Sequence, residues 1–339
     1  MTTYIIRASH ANQFELQNYE PLLKSQDIRL VTSLRPLTPT HMPTTQLWSP
    51  TDLPNFPFRR QLFNRLFGGE QWLIGLEQVI TTNPGPHILH TAETYTPYTH
   101  QAVQLRQKGI IKKLVCTCWE TMPHNNEKFR RLRRWKQMAY ETVDLFHVTT
   151  ERAKKALITE GVCAHKIKVI PYGVDLSRFH PIRGTSRRPK PVIVTVARRV
   201  PEKGYFLWQK IKEELREIAD FRWVSGLPYA DMPAVYAESD IFFLPSLTTS
   251  TWEEQYGMVL LEAMASGLPV VTTNTGAIPE VVGEAALVLN PTTYHDLVSP
   301  LKDLLTQPRL RQKLAKLSLA RARDLSHLVA SARLTSLYH

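Results

Sequence analysis

Short apolar runs of strand length recur along the chain, and amphipathic segments with three- to four-residue spacing lie between them. In the first half the runs are Tyr4–Ile6, Ile28–Val31, Ile88–His90, Leu114–Cys118 and Leu145–Val148. Helical spacing covers Phe63–Ile80 and Lys128–Glu141. Thr32–Pro57, rich in Pro and Thr, reads as a long irregular loop. Lys168–Asp175 reads as a strand ending at a turn, and Pro181–Pro191 has the composition of a linker. Beyond it come strand Pro191–Ala197, helix Tyr205–Ile218, strand Phe221–Ser225, helix Met232–Ala237 and strand Ile241–Leu244. Helix Met258–Ser266, strands Pro269–Thr272 and Ala286–Leu289, and a cationic amphipathic helix Leu310–Leu325 complete the pattern.

Strands alternating with helices imply βαβ units and parallel sheets. The expected fold class is α/β, with two Rossmann-like parallel-sheet domains facing across a cleft. Residues 1–180 would form the first and 190–320 the second. Ligands of such sheets sit beyond the C-terminal strand ends, so the cleft is the expected active site.

Composition fits this picture. The chain has 339 residues, 43% apolar and 21% charged, which suits two globular domains and excludes a disordered chain. Three cysteines, Cys116, Cys118 and Cys163, are too few and too oddly spaced for a disulfide framework or a zinc site. Cys116 and Cys118 read as small core residues of a strand, and the set suits a reducing compartment. No run approaches the roughly 18 apolar residues that span a bilayer. The N-terminus reads as a first strand and not as a signal peptide, and neither end carries a lipidation signal. The expected location is cytoplasmic, with peripheral contact at the inner face of the membrane as an open addition.

That addition comes from the charge. Lys and Arg number 42 against 30 Asp and Glu, a net +12. Residues 1–170 hold 22 cations and 13 anions, +9, which leaves +3 for the rest. Lys128–Lys136 packs six cations into nine residues, with Phe129, Leu132 and Trp135 at helical spacing. Three readings compete: a solvated helix face, contact with anionic lipid or a phosphorylated acceptor, and nucleic acid. No nucleic-acid motif accompanies the patch, so no nucleic acid is expected as a partner.

The densest chemistry lies in Pro245–Val271, a strand, loop, helix and strand. Gly257 stands where the helix begins, and a helix N-terminus offers unpaired N–H groups to a phosphate. Glu254 precedes the helix and Glu262 lies inside it, roughly 10 Å apart if the segment is largely helical. Two carboxylates flanking an anion site suit a ligand with hydroxyls at both ends and phosphates between them, the shape of a nucleotide-sugar. A second basic turn, Arg198–Gly204, follows a strand and opens a helix. Arg198 and Lys203 there could neutralise a diphosphate.

These pieces together resemble glycosyltransferase family 4 (GT-B fold, glycosyl transferases group 1). The matching residues are Val169–Asp175 with Phe179 and Pro181, then Arg198 with Glu202-Lys203-Gly204, then Ser239–Ser246, then Glu254 and Glu262, then Gly276–Val282. The match is dense over about 165–290. The resemblance implies retaining, metal-independent transfer of a sugar from a UDP- or GDP-linked donor to an unidentified acceptor, with no cofactor. It assigns Arg198 and Lys203 to the donor diphosphate, Glu254 to the transferred sugar and Glu262 to the ribose. Glu254, Arg198 and Lys203 would carry catalysis. The Gly257, Met258 and Val259 backbone would meet the phosphates, and Gly226 and Leu227 would lie near the base. About 320–339 would return to the first domain, although from the sequence alone that stretch could equally be a surface helix of the second.

The chain departs from the family in places. Ala197 replaces the usual glycine before the arginine, Tyr172 replaces an asparagine, and Arg7–Asn12 stands where a glycine-rich loop is common. Where many members carry a histidine near the sugar, Thr117–Thr121 stands here, so Glu93, Trp119 and Glu120 become the acceptor-side candidates. His90, at the end of its strand, and His124 are further loop candidates. Trp252 and Tyr256 read as packing or as a stacking surface. The alternatives in other classes are a non-catalytic or an isomerising nucleotide-sugar-binding protein of the same fold.

Overall fold

The computed structural model describes residues 1–83, 85–182, 188–290 and 293–339. It divides into two compact units, Met1–Pro171 with Ala330–His339, and Tyr172–Val329. Residues 183–187 of the stretch expected as a linker, Pro181–Pro191, lie outside the described residues.

The first unit is a seven-stranded sheet. Its strands are β1 Thr2–Ala8, β2 Ile28–Thr32, β3 Thr44–Gln46, β4 His87–Ala92, β5 Lys113–Cys118, β6 Leu145–Val148 and β7 Ile167–Val169. They stand in the order β3-β2-β1-β4-β5-β6-β7, and each neighbouring pair is parallel. The helices are α1 Gln13–Leu16, α2 Arg59–Leu66, α3 Leu76–Thr82, α4 Pro97–Gln107, α5 Arg130–Thr142 and α6 Glu151–Thr159. Every residue of β4 and β6 is buried, as strands covered on both faces must be, and their polar members, such as His90 and His147, are hydrogen-bonded inside the core.

Two sequence expectations change here. The helix expected over Phe63–Ile80 is two helices, α2 and α3. Gly68 and Gly69 interrupt it, and a Cβ on Gly68 would lie 2.0 Å from the Trp135 ring. The loop expected over Thr32–Pro57 contains β3, because extended Thr44–Gln46 pairs with Leu30–Thr32 at the sheet edge. Prolines flank that strand without interrupting it.

A polar chain runs through the core of this unit. Arg7 pairs with Glu15 at 2.7 Å, both buried, and donates to the His90 carbonyl at 3.0 Å. His147 Nε2 lies 2.8 Å from the Ile170 carbonyl, which can only accept, so this nitrogen carries the proton. Burial and the Arg7 charge keep both His90 and His147 neutral. His147 Nδ1 therefore accepts from the Thr117 hydroxyl at 2.9 Å. Thr117 in turn accepts from His90 Nε2 at 2.7 Å, and His90 Nδ1 accepts from the Tyr338 hydroxyl at 2.7 Å. The chain's last residues are thus held by a directional relay that ends on β4, β5 and β6.

The second unit is a five-stranded parallel sheet. Its strands are β8 Val192–Val196, β9 Asp220–Val224, β10 Ile241–Leu244, β11 Val270–Thr273 and β12 Ala286–Leu289, in the order β12-β11-β10-β8-β9. Its helices are α7 Tyr205–Leu215, α8 Met232–Ala237, α9 Met258–Ala265, α10 Ile278–Val282, α11 His295–Thr306 and α12 Pro308–Asp324. A last helix, α13 His327–Leu334, begins in this unit. Ile193, Trp208, Ile211, Ile241, Phe243, Val271 and Leu301 form one buried cluster of this core. Among the described residues no helix is long and apolar enough to cross a membrane.

Candidate functional site

In the second sheet the chain runs from β8 outward to β9, then returns to β10 on the other side of β8. The strand order reverses between β8 and β10, and in open parallel sheets that reversal leaves a crevice at the C-terminal ends. The two loops that leave these ends are Ala197–Gly204 and Pro245–Gly257. They carry the residues that the sequence singled out.

Backbone packing fixes the loops against each other. Gly204 takes φ +73°, and a Cβ there would lie 1.9 Å from the Pro245 carbonyl oxygen. The Leu247 N–H donates to the Glu202 carbonyl at 2.8 Å. This close approach brings Lys203 Nζ to 2.5 Å from Glu254 Oε2. The Ser246 hydroxyl donates to the same oxygen at 3.2 Å, and the Trp252 ring centroid lies 4.7 Å from the Lys203 ammonium. Glu254 is buried and its backbone is pinned from behind. A Cβ on Gly276 would lie 2.1 Å from the Glu254 carbonyl oxygen, which accepts from the Ala277 N–H at 2.8 Å.

Arg198 stands on the same loop but reaches outward. Its side chain is 69% exposed, with Nη2 3.7 Å from Glu202 Oε1. The loop after β9 starts alongside, since the Ala197 N–H donates to the Val224 carbonyl at 3.1 Å. That loop holds Gly226, at φ +74° with open space beside its Cα, and Leu227, which is exposed.

Gly257, at φ +81°, opens α9, and Met258 and Val259 follow half-buried in its first turn. The residues before Met258 are not helical, so a helical rise does not set the Glu254–Glu262 separation, contrary to the assumption behind the sequence estimate. Glu262 is buried, and burial pushes its carboxyl up to about 7. The Tyr236 hydroxyl donates to Glu262 Oε2 at 2.7 Å and the charge of Arg178 is felt there; both oppose the rise. Arg178 lies 4.9 Å over the Tyr229 ring. Tyr256 is buried and donates to the Tyr172 carbonyl, so its hydroxyl is committed to packing. Sequence reasoning gave Tyr236 and Ser246 no role. Neither has a local signal, because each reaches its carboxylate across a different element.

In the first unit Glu93 follows β4 and Trp119 follows β5. The Trp119 N–H donates to Glu93 Oε1 at 2.8 Å. Glu93 is held at φ +60°, a conformation that side chains rarely adopt, and burial pushes its carboxyl up to about 8. Glu120 is used differently. Its Oε1 accepts from the Thr121 and Met122 N–H groups and its Oε2 from the Asn125 and Asn126 side chains, all at 2.9–3.0 Å. Both oxygens are occupied in building the loop. His90 is buried in the relay described above and offers no surface, which corrects its reading as a loop candidate. The Lys128–Lys136 run is not uniformly solvated either. Lys136 is buried, with Nζ 2.7 Å from Glu160 and 3.0 Å from Glu127. Glu127, Glu160 and the exposed His124 form a cluster with ligand atoms within 4.8 Å of one another, but the Lys136 ammonium already supplies its cation.

Two family models match the chain. "Glycosyltransferase Family 4" matches residues 27–178 and "Glycosyl transferases group 1" matches 207–318, which makes 152 and 112 residues, or 264 of 339. The chain belongs to the family 4, group 1 glycosyltransferases. A sulfoquinovosyl transferase of Arabidopsis thaliana is 30% identical over 213 residues, covering 52% of this chain and 41% of that protein. The chain thus matches less than half of this relative's length. Among solved structures, a sucrose-phosphate synthase of Thermosynechococcus elongatus superposes with TM-score 0.76 at 16% identity, covering 99% and 98% of the two chains. An Anabaena protein crystallised with UDP and glucose superposes with TM-score 0.73 at 16% identity, with the same coverage. The fold of this family 4 member is GT-B.

Proposed function

We propose that this glycosyltransferase-family chain moves a sugar from a UDP- or GDP-linked donor to an acceptor, with retention of anomeric configuration and without a metal. The observation that carries the reading is the Lys203–Glu254 contact at the β8/β10 strand ends. Leaving-group departure puts negative charge on a diphosphate, and preorganised cations and N–H groups lower that barrier most. Lys203 and Arg198 supply two cations, and the first-turn N–H groups after Gly257 supply dipoles. Glu254 faces the transferred sugar's hydroxyls and holds Lys203 in place until the diphosphate arrives. Glu262 accepts from the ribose hydroxyls, positioned by Tyr236. Gly226 and Leu227 border the base. Glu93 and Trp119 serve the acceptor, and the reading places the protein in the cytoplasm.

Calorimetric titration of the full chain in chelator with UDP and with GDP tests the donor site. Binding of one, weakened at least tenfold in Lys203→Ala, supports it (one charge-assisted hydrogen bond is worth about 1.5–3 kcal/mol). Binding of neither overturns it. Donor conversion without any acceptor would instead identify the isomerising alternative, and donor binding with no transfer across an acceptor panel would identify the non-catalytic one.

A further inference from the structure

Among the described residues, one face of the first unit leaves several large apolar side chains exposed. Phe58, Leu62 and Leu66 sit four residues apart on and just before α2, and they are 76%, 45% and 60% exposed. Phe58 is held at φ +63°, which bulky residues avoid, and this conformation turns its ring to solvent. Beside them Phe129, 55% exposed, leads into α5. The two helices are braced together, since Arg131 donates to the Asn64 carbonyl at 2.5 Å and the Arg65 carbonyl at 3.1 Å.

Cations ring this apolar stripe. Arg60, Arg65, Lys128, Arg130, Arg131, Arg133 and Arg134 are all exposed. The carboxylates nearby are engaged, Glu70 by Arg59 at 2.7 Å and Glu127 by Lys136 at 3.0 Å. Neither α2 nor α5 has an acidic residue in its first turn. The arginines of α5 therefore add to the positive end of the helix dipole, an arrangement that costs stability unless an anion answers it. A cavity of about 340 Å³ opens between the helices, bordered by Arg60, Arg65, Phe129 and Arg131.

We infer that this α2–α5 face docks on an anionic lipid bilayer, with the arginines at the headgroup phosphates and Phe58, Leu62, Leu66 and Phe129 in the acyl boundary. Four exposed apolar anchors inside a cationic ring match an interface that is apolar beneath and negative above. Nucleic acid would leave the anchors unused. The sequence placed the patch on Lys128–Lys136, with Phe129, Leu132 and Trp135 as its apolar side; the structure adds α2, buries Lys136 and Trp135 and keeps Phe129 exposed. The inference stands apart from the donor site, because vesicle binding needs no turnover.

The test is co-sedimentation of the full chain with phosphatidylglycerol–phosphatidylcholine vesicles and with phosphatidylcholine alone. Binding to the anionic vesicles is expected, and it should weaken steeply with salt. Arg60/Arg65/Arg130/Arg134→Gln should lose affinity on the order of a hundredfold. Phe58/Leu62/Leu66→Ser should lose on the order of tenfold or more. Neither variant touches the Arg131 brace, and unchanged thermal melting verifies that both fold. Equal binding to neutral vesicles, or a charge variant that pellets like the parent, overturns the inference. Self-association through this face without vesicle binding, seen by light scattering, overturns it as well.

Discussion

Lys203 and Glu254, 51 positions apart in the chain, meet at 2.5 Å where β8 and β10 end. Each therefore holds the other in position before any ligand binds. Lys203→Ala removes the diphosphate's cation and leaves Glu254 buried without it, so nucleotide affinity should fall on the order of ten- to a hundredfold. Glu254→Gln should leave nucleotide affinity within a few-fold, because Lys203 is then freed for phosphate. Its turnover should fall on the order of 10²–10³. Titration and steady-state kinetics on the two variants separate these effects, and equal losses in both quantities for Glu254→Gln would refute the division of roles.

Glu262 ties stability to pH. Burial raises its carboxyl to about 7 from the ordinary glutamate value of 4.5, so between those values the native state holds the extra proton. Stability from this group is full below about pH 4.5 and declines as pH rises to about 7. Glu262→Gln should remove that decline, and the variant should gain on the parent by up to about 3 kcal/mol between pH 4.5 and 8. Thermal melts across that range measure it. A constant difference would mean that Glu262 is ionised throughout. Nucleotide affinity of the parent should rise over the same interval, since the ribose hydroxyls need an acceptor.

The relay from Tyr338 to Ile170 makes a different prediction. Thr117→Val cuts it in the middle and removes its buried hydrogen bonds to His90 Nε2 and His147 Nδ1. The cost should be about 2–6 kcal/mol, two lost buried hydrogen bonds at about 1–3 kcal/mol each. Tyr338→Phe orphans one acceptor and should cost about half as much. Both histidines are held below their ordinary value by burial, so the native state binds fewer protons and stability falls as pH drops below about 6.5. Denaturant midpoints at two pH values test both statements.

Gly204→Ala should be the most damaging single methyl in the donor loop. The new carbon would sit 1.9 Å from the Pro245 oxygen, at a φ that disfavours any side chain. The loops must separate, so Lys203 should leave Glu254. Loss of nucleotide binding together with a lowered melting temperature is the expected result. Gly226→Ala meets no atom within 4 Å and should leave the fold nearly unchanged, with a cost of about 1 kcal/mol from its φ alone. Melting curves of the two variants side by side check the contrast.

Much of this was legible in the residues. Alternating apolar runs and amphipathic segments gave the parallel α/β class, because strands buried on both faces are mostly apolar and helices are apolar on one. The order of Arg198, Lys203, Glu254, Gly257 and Glu262 along the chain carried the family, because each sits at or near a strand end or helix start that local pattern can locate. The breaks were less legible. Gly68–Gly69 lies inside a spacing that still reads as helical, and only the Trp135 ring behind it shows why the helix stops.

By itself, the sequence determined which elements form, which family the chain belongs to and which charged side chains stand at strand ends. The tertiary structure decided which of those side chains meet. Lys203 finds Glu254 and Tyr236 finds Glu262 because β10 returns to the far side of β8 and the loops pack backbone to backbone. In the first unit His90 is buried because β4 lies between β1 and β5 in the sheet. Local periodicity says which side of an element is apolar, but strand order says what lies against it, and strand order is set by contacts far apart in the chain.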